Sequence, residues 1–116
     1  MFYEKEDTQK LYRLIKNKED YSFLLITSVL DNYKQLSKNE FIILTIKWKK
    51  KVKESVHMED VGYIINGGNI FAIVDNQRKE EFISTVSSIS FVKPNKSSIS
   101  SEILELDDFE IKSIIA

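Results

Sequence analysis

Residues 20–36 read DYSFLLITSVLDNYKQL, and whether this stretch is a helix or a strand decides the fold. Phe23, Ile26, Leu30 and Tyr33 recur at helical spacing, as do Leu25, Val29, Tyr33 and Leu36. The segment is longer than a usual strand, so its spacing predicts a helix over 20–36 with Asp20 as N-cap. The run YSFLLITSVL is also rich in strand formers, which leaves a central strand at 21–29 as the alternative.

The next segment is unambiguous. Ser37 and Glu40 stand in the S-x-x-E spacing of a capping box. Phe41, Leu44, Trp48 and Val52 then fall on one face of a helix over 37–54. Lys47, Lys49, Lys50, Lys51 and Lys53 fill its last turns, where cations suit the negative end of the helix dipole. Trp48 shares its face with Phe41, Leu44 and Val52, so it reads as a core anchor with the lysines on the solvated side. Upstream, Asp7 or Thr8 is placed to cap a helix over about 7–18 with Leu11, Leu14 and Ile15 inward.

Downstream the pattern changes to β. Val61–Ile65 and Ile70–Asp75 are apolar, β-branched and aromatic, and flank Asn66-Gly67-Gly68-Asn69. Turns that need positive φ select Asn and Gly, so 61–75 is predicted as a hairpin. Asp75 or Asn76 can cap a helix over 77–88, with Phe82, Ile83 and Val86 inward. Strands are expected near 89–93 and 102–106, joined by a polar connector from Asn95. Asp107 or Asp108 can cap a short last helix, although 109–115 fits a strand equally well. Residues 55–60 read as a loop.

The expectation is therefore one α+β domain over 1–116. N-terminal helices at about 7–18, 20–36 and 37–54 pack on one face of a small, mainly antiparallel sheet. That sheet is built from hairpin 61–75 and the strands near 89–93 and 102–106, with helix 77–88 between them.

The chain is globular in composition, at 42% hydrophobic and 30% charged residues. Its net charge of −1 hides an asymmetry: residues 1–56 hold 12 Lys+Arg against 8 Asp+Glu, and residues 57–116 hold 5 against 10. Usage of 16 Ile and 15 Lys against 2 Ala and 2 Arg points to an AT-rich bacterial, plasmid or phage gene. The start, MFYEKED, lacks the basic and apolar regions of a signal peptide, which leads us to expect a cytoplasmic protein with no membrane span.

The chemistry the chain can carry is narrow. There is no cysteine, which removes thiol nucleophiles, disulfides and cysteine-held metals. His57 is the one histidine, and with Glu59 and Asp60 it has no recognised metal-ligand spacing. Gly62, Gly67 and Gly68 cannot spell a glycine-rich phosphate loop. The serines from Ser84 to Ser101 have no partner base and read as solvent-facing. No catalytic residue, metal or cofactor is expected.

Two functional readings remain. The first is a non-catalytic interaction protein (an inhibitor, an immunity-type protein or an accessory factor), whose acidic residues Glu102, Glu105, Asp107, Asp108 and Glu110 or whose hairpin edge dock on another protein. The second is a winged-helix-like nucleic-acid-binding protein, with Lys47, Lys49, Lys50, Lys51 and Lys53 on phosphates and hairpin 61–75 as the wing. A homodimer through β-edge pairing is compatible with either.

Overall fold

The computed structural model describes residues 5–56, 61–66 and 69–115. The described elements run, in chain order, α1 (Lys5–Leu14), β1 (Tyr21–Asp31), α2 (Lys38–Glu54), β2 (Val61–Asn66), β3 (Asn69–Asp75), α3 (Lys79–Ser87), β4 (Phe91–Val92), β5 (Ser98–Glu105) and α4 (Asp108–Ile115). Short 3-10 turns at Lys18–Asp20 and Tyr33–Gln35 flank β1. The strands form one five-stranded sheet in the order β2-β3-β1-β5-β4, and every pairing is antiparallel. The class is α+β, as the composition of the segments implies.

The expected helix over 20–36 is not formed. Its residues make β1, the middle of the sheet, paired with β3 along 21–26 and with β5 along 24–31. The physical reason is burial on both faces. Leu24 and Ile26 point to one side and Phe23 and Leu25 to the other, and each side meets its own helices. A strand covered on both faces reads as a continuous apolar run and shows no alternation. The apparent length came from the turn that follows: Asn32 adopts the left-handed conformation at φ 54 and starts the 3-10 turn.

The helices cover both faces of the sheet, where the sequence suggested one. Leu44, Trp48 and Val52 of α2 and Phe82 and Val86 of α3 pack with Leu24, Ile26, Ile70, Ala72, Val74 and Ile99. On the opposite face Tyr12 of α1 and Ile111 of α4 pack with Phe23, Phe71, Ile73 and Leu106. Phe23 stacks on Phe71 at 6.3 Å and takes the edge of Tyr12 at 5.5 Å.

Several boundaries also shift. α1 already includes Asp7 and Thr8, so neither caps it, and it ends at Leu14 rather than near Lys18. The Asp75 carboxylate accepts the Gln77 N–H in the turn before α3, which starts two residues later than expected. The strand near 89–93 shrinks to Phe91–Val92. The polar connector after Asn95 turns into strand at Ser98, because Ile99 is fully buried and β1 offers eight partners along 98–105. Residues 109–115 are helical, and Asp107 and Glu110 cap that helix reciprocally: each side chain accepts the other's backbone N–H. His57, Glu59, Asp60 and the hairpin tip Gly67-Gly68 lie outside the described residues.

α2 is seated at two points. Its middle is fixed by Trp48, fully buried, whose Nε1–H donates to Ser101 Oγ at 2.9 Å. Its start carries the capping box: Ser37 Oγ accepts the Glu40 N–H, and Glu40 Oε1 accepts the Ser37 N–H. The other carboxylate oxygen of Glu40 takes Lys93 Nζ at 2.6 Å, which ties α2 to the loop after β4. Asn95 and Asn32 complete that tie, donating to Gln35 O at 3.1 Å and Lys96 O at 3.0 Å.

Trp48→Ala is expected to cost about 3–5 kcal/mol in urea unfolding, as for other large core deletions. Trp48→Phe and Ser101→Ala should each cost about 1–2 kcal/mol through the lost hydrogen bond. Their double variant should cost clearly less than the sum, since both remove one contact. The Glu40 carboxyl falls from 4.5 to about 2, first through the Lys93 hydrogen bond and then through the Ser37 backbone N–H. Its stabilisation is thus complete above pH 4.5 and is lost as pH drops toward 2, where the unfolded chain binds the proton first. Melting temperatures across that range should fall less steeply for Glu40→Gln than for the natural chain.

Candidate interaction surface

With Leu44, Trp48 and Val52 committed to the core, the outer side of α2 is set by the helical period of about 3.6 residues. Ile42, Ile43 and Ile46 lie on that outer side and are 43%, 53% and 59% exposed. They form one contiguous stripe, because residues three and four apart are surface neighbours on a helix. Phe41 shares the inward side with Leu44, Trp48 and Val52 by the same period, but in the first turn of the helix it is left half-exposed rather than joining the core as its spacing predicts. Sequence reasoning misses the isoleucine stripe because the inward face carries the stronger pattern; three isoleucines placed opposite the tryptophan are the signal for it.

Lys47 and Lys50 are exposed beside the stripe. Lys51 is exposed and pairs loosely with Glu54 at 3.7 Å. Lys49 is half-buried and Lys53 exposed, and both take part in interactions of their own. The five lysines therefore do not converge on a point. They spread around the last turns of the helix.

The five acidic residues are divided as well. Glu105 pairs with Lys79 at 2.6 Å, on the α3 side of the sheet. Asp107 and Glu110 are engaged in capping α4. Glu102 and Asp108 are exposed, and among the described residues no side-chain hydrogen bond or ion pair engages them. Near them sit two exposed apolar residues, Leu104 at 51% and Phe109 at 80%. Glu102 and Glu105, three apart in β5, point to opposite faces.

The serines are not all solvent-facing: Ser97 is fully buried and Ser101 receives the Trp48 indole. The hairpin is not a free wing either. β3 is hydrogen-bonded on both sides, to β2 and to β1, so the hairpin is part of the sheet, with β2 as one of its edges.

Two shallow clefts of about 370 and 310 Å³ meet at Asp20 and Tyr21, one running under Leu11 and Leu14, the other toward Asp75 and Asn76. Neither is lined by any of the lysines or acids named above as candidate binding residues. Among the described residues no three His, Cys, Asp or Glu side chains gather in a metal-holding group, and no helix is long and apolar enough to cross a membrane.

No protein-family model and no curated protein matches the chain. A similar solved structure is the crystal structure of the diguanylate cyclase SiaD in complex with its activator SiaC, from Pseudomonas aeruginosa. The match has a TM-score of 0.52 and 11% sequence identity, over 97% of this chain and 51% of the matched chain. The chain thus spans about half the length of the one it resembles, and at this identity the likeness is one of fold.

Proposed function

We propose that this chain is a small, non-catalytic protein-interaction protein of the cytoplasm (an inhibitor, an immunity-type protein or an accessory factor) that docks on another protein through the outer face of α2. The observation that carries this is the stripe Ile42, Ile43 and Ile46, exposed on a helix whose core face is already complete. Isoleucine is stiff in helices and weakens them slightly, so three on a solvated face bring the isolated chain no folding advantage. Contiguous exposed apolar surface rimmed by charge is what a docking site looks like.

The structural likeness supports the reading at the level of setting. The similar complex joins a cyclase to a protein that activates it, so a fold of this kind occurs in an assembly of enzyme and regulator. The lysines of α2 then work at the rim, where charges steer encounter more than they hold the complex. A nucleic-acid role would ask the same lysines to converge on phosphates, and the hairpin would have to project as a wing. The paired β3 does not support that arrangement.

Two measurements test the proposal. A tagged chain, expressed in the organism that carries its gene, should capture a protein whose purified form binds it in calorimetry. Ile43→Glu/Ile46→Glu should weaken that binding by about a hundredfold, as loss of a central apolar cluster does. Unchanged affinity would move the docking face elsewhere. Because the similar complex contains a diguanylate cyclase, the non-catalytic part is tested by incubation with GTP and Mg²⁺. We expect no nucleotide product, and turnover above a heat-treated control would overturn it.

A further inference from the structure

The chain carries a second surface that answers the first. Leu104 and Phe109 are exposed at the end of β5 and the start of α4, with the exposed carboxylates Glu102 and Asp108 beside them. The α2 stripe pairs exposed apolar groups with Lys47 and Lys50, and this corner pairs exposed apolar groups with acids. One is basic and apolar, the other acidic and apolar.

The two cannot meet within one chain. Trp48 is bound to Ser101, so α2 lies on the face of β5 to which residue 101 points. Successive strand residues alternate between faces, so Glu102 and Leu104 point away from α2. The sheet itself stands between the complementary surfaces.

We propose that the occupant of the α2 face is a second copy of this chain, docked head to tail through its β5–α4 corner, with Ile42, Ile43 and Ile46 against Leu104 and Phe109 and with Lys47 and Lys50 facing Glu102 and Asp108. This rests on the α2 docking reading and names its partner. An isologous contact of α2 on α2 would bring Lys47 and Lys50 near their own copies, which costs energy where a heterologous contact gains it. A head-to-tail pair as a whole keeps one unused surface of each kind, one on each copy, so the contact extends to higher oligomers as concentration rises. The segregation of charge between the two halves of the chain is compatible with such an arrangement.

Sedimentation equilibrium of the full chain over a concentration series, at low and high salt, reads the outcome. The natural chain should gain mass with concentration, and less so at high salt. Ile46→Glu and Phe109→Lys should each lower self-affinity at least about tenfold, the effect of losing one central contact. Both substitutions are at exposed positions, and circular dichroism checks that the fold is kept. The decisive step is mixing. Ile46→Glu keeps its acidic corner and Phe109→Lys keeps its α2 face, so the equimolar mixture should form a pair that stops at two chains. A natural chain that stays monomeric throughout overturns self-docking, and the partner-capture measurement above then stands or falls separately. Two variants that remain monomeric when mixed, alongside a natural chain that dimerises and stops, also overturn it and point to an isologous contact.

Discussion

β1 is hydrogen-bonded along both edges and buried on both faces, and that double burial places every other element. Its edge toward β3 spans 21–26 and its edge toward β5 spans 24–31, so the two neighbours are offset along it. The start of β1 and all of β3 need cover on both faces, and α1 and α4 supply it on one side while α2 and α3 supply it on the other. Unpaired backbone N–H and C=O groups at the centre of a sheet are costly, which makes the register of β1 the least negotiable feature of the fold. A chain of this size can fill two modest cores on either side of one sheet, with aromatic residues closing the smaller of them.

That arrangement explains why part of the fold was legible and part was not. The α2 helix could be read because its signals are local: a capping box, an inward face and a basic end, all within one segment. The hairpin could be read because turn chemistry is local too. The nature of 20–36 was hidden because its apolar pattern reflects two covers supplied by distant parts of the chain. FLLI fits a helix face and a doubly buried strand equally, and only the partners decide. The same holds for Ser98–Ser101, where four residues that look like a connector join β1 because Ile99 is fully buried and Ser101 meets an indole 53 positions away. For the site, the lysines and acids were visible as residue types. Which acids are already engaged by Lys79 or by the α4 cap is a matter of tertiary geometry.

Charge and apolarity on α2 have different standing as signals. Lys51 and Lys53 lie in its last turn, where the dipole alone favours them, and lysines on any solvated helix face keep a protein dispersed. A purely structural account of α2 therefore accommodates its basic character. It does not accommodate Ile42, Ile43 and Ile46. The seat of the helix is complete without them, through Leu44, Trp48 and Val52 inward and Glu40 held by Lys93 at the start. A helix pinned so firmly presents its outer side in one orientation, which lowers the entropy lost when that side is covered. On the docking reading proposed above, the rigidity of the inner contacts and the apolarity of the outer stripe belong to one device: Trp48 and Glu40 hold still the face that a partner would meet.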